Sequence, residues 1–194
     1  MYAYLIGKFT YKSPAQVYLE ANGVGYEVNI SLNTYESIQG LEEGRLFTYL
    51  QIKEDAHTIF GFFEKEEKDI FMLLLSVSGV GATTARMMLS SIRPDEIARA
   101  IQQSNVKLLE SVKGIGRKSA ERIVLELKDK VGKGLNQPAG MMQKEGGIMN
   151  DAVVALTSLG IARIQAEKAV QTINNAEPGI LELEVLIKKA LKAI

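Results

Sequence analysis

The residues in this chain whose types and spacing suggest a chemistry form two short glycine turns. Residues 74–89, LLSVSGVGATTARMML, lie over residues 109–124, LESVKGIGRKSAERIV, at a fixed offset of 35. Ser76/Ser111, Val77/Val112, Gly79/Gly114, Gly81/Gly116 and Ala85/Ala120 are identical pairs. Each copy is an apolar helix end, a Gly-x-Gly turn and a second helix start. Two glycines around one apolar residue suit a tight turn with positive φ and close backbone approach. The first N–H groups of the following helix have no partner inside it and point outward, where a phosphate can bind.

Paired in register, these segments look like two helix-hairpin-helix motifs, which grip the nucleic-acid backbone without reading sequence. The candidate DNA contacts are Gly79, Val80, Gly81 and Thr83 in the first copy. In the second they are Gly114, Ile115, Gly116, Arg117 and Lys118, with Arg122 on the helix that follows. Arg117 and Lys118 add charge beside the backbone N–H groups, and a contact of this kind fixes position rather than sequence. The first copy has Ala82 and Thr83 in their place and no cation before Arg86, so its grip must rest on backbone and hydroxyl donors. The competing explanation is that the turns only pack helices closely.

Charge is segregated to match. The net charge is zero, but residues 71–134 carry 11 Lys/Arg against 6 Asp/Glu, while residues 1–63 carry 4 against 7. The basic part holds both turns, the electrostatic pattern of a nucleic-acid binder.

No catalytic constellation accompanies the turns. His57 is the only histidine and there is no cysteine, which removes multi-histidine and thiolate metal sites. The run Gly114-Ile-Gly-Arg-Lys-Ser119 fails the phosphate-loop pattern GxxxxGK[ST], because Arg117 separates Gly116 from Lys118. No cofactor is expected, and any ATP-driven step belongs to another chain. The N-terminus lacks the features of a signal peptide and no apolar run approaches a membrane span, so the expected location is the cytoplasm.

Three segments position these residues. Residues 1–63 alternate as short strands: Tyr2–Tyr11, Gln16–Ala21, Val24–Ile30, Leu46–Lys53 and His57–Phe62, with a short helix over Thr34–Gln39. Asn22-Gly23 between two of them predicts a hairpin, and five strands with one small helix predict an OB-like β-barrel. Residues 64–134 switch to helical periodicity. A first helix spans Glu66–Val77, another starts at Pro94-Asp95-Glu96, and Ser104 or Asn105 caps a third. Over Arg117–Val131, Ala120, Ile123, Val124, Leu127 and Val131 form one buried stripe. Residues 132–147 hold five glycines and a proline without periodicity, so a flexible linker is expected over 135–147. Residues 148–194 form a small three-helix domain. Asn150 or Asp151 caps Ala152–Leu159, Gln165–Ile173 follows, and the last helix spans Leu181–Leu191 with its start near Glu177-Pro178.

Together, NGVGYEV (22–28), KEDAHTIFGF (53–62), both hairpins and the linked C-terminal helices resemble the RuvA family over essentially the whole chain. These are the Holliday-junction-binding subunits of the bacterial branch-migration complex. The resemblance implies a homotetramer, single or as two stacked tetramers, on which a four-way junction lies open and flat during recombination and repair. It implies that Gly79–Thr83 and Gly114–Lys118 hold the arms by their phosphates, although the family commonly has lysine where this chain has Thr83. It maps the family's central acidic pin onto Glu54 and Asp55, which by themselves would be a solvated turn. It implies that the C-terminal helices contact the hexameric ATPase RuvB through Leu156, Leu159 and Ile161, with the RuvC resolvase a further candidate partner. Leu156, Leu159 and Ile161 are equally consistent with core positions. The main rival reading is a generic helix-hairpin-helix repair factor that binds duplex without junction preference. A hairpin-positioned nuclease or lyase would need a carboxylate cluster or catalytic lysine that no spacing nominates. An OB-fold single-strand binder would need aromatic platforms, for which Tyr2, Tyr4, Phe9 and Tyr11 are available.

Overall fold

A computed structural model describes residues 2–134, 147–176 and 182–194. Five strands, β1 (Tyr4–Ser13), β2 (Gln16–Ala21), β3 (Val24–Asn29), β4 (Glu43–Ile52) and β5 (His57–Phe62), close into a barrel in the order β1-β2-β3-β5-β4. Helix α1 (Leu32–Ile38) joins β3 to β4. All pairings are antiparallel except β3 with β5, which is the order of an OB-like barrel. The β2–β3 turn is Asn22-Gly23, with φ of +51° and +80°, so both residues take the left-handed conformation a two-residue hairpin needs. At the β3–β5 closure a Cβ on Gly61 would stand 2.4 Å from a Val28 side-chain carbon, so the strands meet there only because residue 61 is glycine. The alternating residues Leu5, Phe9, Val17, Leu19, Val28 and Leu46 fill the interior with Ile30 and Ile38.

The helical part follows directly: α2 (Lys65–Leu75), α3 (Ala82–Ser91), α4 (Pro94–Gln102), α5 (Val106–Glu110) and α6 (Arg117–Gly134). Pro94 occupies the first turn of α4, with Asp95 and Glu96 beside the positive end of its dipole. Asn105, one of the two residues expected as the cap, accepts from the Leu108 N–H at 3.2 Å. Ala120, Ile123, Val124, Leu127 and Val131 are all buried. Helix α6 runs to Gly134, where the expected linker begins, and residues 135–146 of that linker lie outside the described residues.

Barrel and hairpins share a core. Phe60 and Phe62 of β5 join the cluster formed by α2 to α6, and Phe71 of α2 packs at 4.8 Å from the Phe62 ring and 5.6 Å from Tyr49. A polar seam accompanies this packing. The buried carboxylate of Glu67 on α2 accepts hydrogen bonds from the hydroxyls of Ser31 and, at 2.6 Å, of Thr34. The Thr34 hydroxyl accepts in turn from the Phe63 N–H at 3.0 Å. Burial pushes the Glu67 carboxyl above its ordinary range, and the two hydroxyl donors oppose that rise.

A second compact unit contains α7 (Ile148–Ser158), α8 (Arg163–Ala176) and α9 (Leu183–Lys192). Helix α7 starts earlier than its polar residues suggest. Gly147 is the cap, the Asn150 N–H donates to its carbonyl at 2.7 Å, and Asp151 sits inside the first turn, where its charge faces the positive helix end. Gly160, at φ +92°, ends the helix. The expected start of the last helix at Glu177-Pro178 lies outside the described residues, in which α9 begins at Leu183. Four of the eight core residues are alanines, so the helices pack closely around little apolar volume.

Candidate nucleic-acid interface

The two glycine turns are equivalent bond for bond. In the first, the Val77 N–H donates to Leu74 O, the Val80 N–H to Val77 O at 3.1 Å, and the Ala85 N–H to Gly81 O at 2.9 Å. In the second, Val112 donates to Leu109 O, Ile115 to Val112 O at 3.0 Å, and Ala120 to Gly116 O at 3.0 Å. Gly79 and Gly114 have φ of +89° and +92°. These are left-handed conformations that side-chain-bearing residues rarely adopt, so the first glycine of each turn is required by backbone geometry. Val80 and Ile115 are buried, and their side chains plug the space between the flanking helices. Whatever either contributes to a ligand must therefore come from its backbone.

The second glycines have a different explanation. Gly81 and Gly116 lack the positive φ, and a Cβ built on either meets nothing within 4 Å. Nothing inside the chain demands glycine there. What a side chain would obstruct is the approach of an outside group to the helix start. Gly81 caps α3 without a side-chain hydrogen bond, leaving the first N–H groups of α3 for an external acceptor. Alanine at either position should therefore leave the melting temperature unchanged while weakening DNA binding. Gly79→Ala should cost about 1 kcal/mol of stability through its positive φ. Thermal melts paired with DNA titrations separate the two effects, and equal behaviour of Gly79→Ala and Gly81→Ala would contradict this division.

The charged residues divide sharply. Lys118 is exposed and, among the described residues, has no hydrogen-bond or ion-pair partner. Arg117 is exposed but held by Glu121 at 2.9 Å, which raises its pKa. Arg122 reaches across to the first turn, where its Nη1 donates to Ser78 O at 3.2 Å, and it also lies 3.9 Å from Glu126. Arg122 thus braces one hairpin against the other, a contact at a sequence separation that helical periodicity cannot reveal. Thr83 is exposed at the start of α3. Arg86, the first cation of that copy, is engaged by the barrel through Asn29 and Ala15.

Glu54 and Asp55 lie exposed at the tip of the β4–β5 hairpin, beyond the Ile52–His57 pair, in a turn closed by the Lys53 N–H to Ala56 O at 2.9 Å. No group of three or more His, Cys, Asp or Glu side chains able to hold a metal ion is found among the described residues. Nor is any described helix long and apolar enough to cross a membrane.

Residues 1–61 match the family model described as RuvA N terminal domain, residues 71–129 the SAM-like helix-hairpin-helix tandem, and residues 147–194 the RuvA C-terminal domain. A protein of Christiangramia forsetii named Holliday junction branch migration complex subunit RuvA is 46% identical over 194 residues, covering 100% of both chains. The chain belongs to the RuvA family. RuvA subunits of the same name from Flavobacterium psychrophilum and Bacteroides thetaiotaomicron are 46% and 43% identical, the first covering 99% of each chain and the second 100%. In the C-terminal unit the three residues expected to contact a partner fall in different environments. Leu156 is fully buried in the core, which removes its side chain from the candidate contact surface. Ile161 packs against that core, and Leu159 is 65% exposed. Ile164, which sequence reasoning passed over, is 82% exposed. Its signal was available, since it lies opposite the Ala166, Ala169, Val170 stripe on α8.

Proposed function

We propose that this chain binds four-way DNA junctions by their shape, holds them open and flat, and brings the hexameric ATPase RuvB to them for branch migration. One observation carries the reading: two hairpins with matching turn bonds build a core that β5 of the barrel joins, and the barrel's β4–β5 loop carries two carboxylates at its tip. In this account the first N–H groups of α3 and α6 hold phosphates. Gly81 and Gly116 admit the DNA backbone, and Lys118 with Arg117 supplies charge. Glu54 and Asp55 face the crossover. Four copies would place eight carboxylates there, which a continuous duplex meets at close range and a junction with parted strands avoids. The chain itself is non-catalytic, and ATP hydrolysis belongs to RuvB. The RuvC resolvase is a further partner in the same reading.

Assembly tests this directly. Sedimentation of the protein with a synthetic four-way junction should give discrete complexes of four chains, or eight if two tetramers enclose the DNA. Graded occupancy that grows with duplex arm length would contradict it.

The C-terminal unit supplies the motor contact through Leu159, extended by Ile164. Leu159→Ala should leave the unit folded and reduce stimulation of RuvB. Leu156→Ala should instead destabilise the unit by about 2–5 kcal/mol, because it empties a core position. Circular dichroism melts and ATPase assays on both variants check this. A stable Leu156→Ala, or an unaffected Leu159→Ala, would count against the assignment.

A further inference from the structure

Arg86 is the first cation along the chain after the first glycine turn, and it is engaged by the barrel. Its Nη1 donates to Asn29 Oδ1 at 2.8 Å and to Ala15 O at 3.2 Å. Asn29 ends β3 and Ala15 lies in the β1–β2 turn, so one guanidinium ties two barrel segments to α3. Partial burial lowers its pKa. Neighbouring bonds follow the same seam. The Leu32 N–H donates to Ser90 Oγ at 3.2 Å, Asn33 Nδ2 donates to the carbonyls of Leu89 and Ile92, and Ser90 Oγ donates to Arg86 O at 2.9 Å. A cleft of about 200 Å³ between Pro14, Leu32, Thr83 and Met87 runs along it, so side-chain packing leaves this face of the seam open. On this face directed bonds add to the shared core in setting the angle, and a planar guanidinium with two fixed acceptors does this better than a flexible ammonium.

We propose that Arg86 is a positioning residue: it fixes the angle of the first hairpin to the barrel, and thereby the register between arm phosphates and the acidic β4–β5 loop. The inference rests on the junction reading above. Duplex binding needs only the hairpins. A junction must meet hairpins on its arms and carboxylates at its crossover at the same time, and the gain from joining two engagements depends on the geometry that links them. Loosening the seam therefore harms junction binding and leaves duplex binding alone.

The test uses the full-length chain with Arg86→Gln, Arg86→Lys and Asn29→Ala, the last removing an acceptor without touching α3. Junction and matched-duplex affinities are measured over a range of salt. Since the chain has no cysteine, spin labels at Glu20→Cys and Ser91→Cys report the barrel-to-α3 distance in the absence of DNA. The expected result for Arg86→Gln and Asn29→Ala is a fall of about fivefold in the junction-over-duplex ratio, an unchanged salt slope and a broadened distance distribution. Arg86→Lys should recover part of the ratio. A salt slope lower by about one on both substrates would make Arg86 a phosphate contact instead and overturn the proposal. An unchanged ratio with an unchanged distance distribution would also overturn it. If the parent chain shows no junction preference, the junction reading itself fails, and the register part of the proposal falls with it. The distance distribution then decides separately whether Arg86 sets the angle.

Discussion

Replacing Glu54 by Gln and Asp55 by Asn together is expected to tighten binding to ordinary duplex by about tenfold and to erase most of the preference for four-way DNA. Both carboxylates stand exposed at the tip of the β4–β5 hairpin, and the closed Lys53–Ala56 turn fixes where that tip projects. A carboxylate about 5 Å from a phosphate is repelled by roughly 1–3 kcal/mol at effective dielectrics of 80 to 20. Several such pairs would be removed at once in the proposed assembly of four. The substitutions keep side-chain size, so fold and hairpins are unchanged, while the charge is removed and an amide donor replaces one acceptor oxygen. Because the groups are exposed, the difference should shrink as salt rises past the point where the Debye length falls below about 8 Å. Competition titrations at low and high salt measure it. An unaltered junction-over-duplex ratio would remove these residues from the crossover.

The second large effect is a separation of functions. Ending the chain after residue 140 should leave junction affinity intact and abolish stimulation of RuvB. Residues 1–136 and 137–194 form separate compact units, and the barrel and both hairpins complete their core without α7 to α9. Gel-shift titration and RuvB ATPase assays on the shortened chain decide the matter. Residual stimulation would mean that the first unit carries its own motor contact.

Much of this was legible in the sequence, for physical reasons that can be named. Period-two alternation and Asn22-Gly23 announce the barrel strands because half-buried pleats and a left-handed two-residue turn leave few other options. The 35-residue repeat announces both hairpins because the first glycine of each pair meets the same backbone demand. Boundaries shifted where local composition and helix propagation disagree. Gly132–Gly134 continue α6 despite their composition, and Gly147, Ile148 and Met149 start α7 before the polar residues expected to cap it. What stayed hidden was tertiary. Arg122 bridging to Ser78, Arg86 turning to the barrel and Glu67 buried under two hydroxyls depend on which elements meet, and no local window contains that. Leu156, Leu159 and Ile161 illustrate the same limit. They are three apolar residues within six positions, yet only packing separates a core leucine from an exposed one.

The central claim is that the protein recognises a shape rather than a stretch of phosphate. Its most direct test is titration of the full-length chain against a four-way junction and a duplex of matched sequence and length, at several salt concentrations. Shape recognition predicts a junction preference that persists as salt rises while both affinities weaken. Equal affinities that fall together with salt would indicate general phosphate binding alone and would contradict the account.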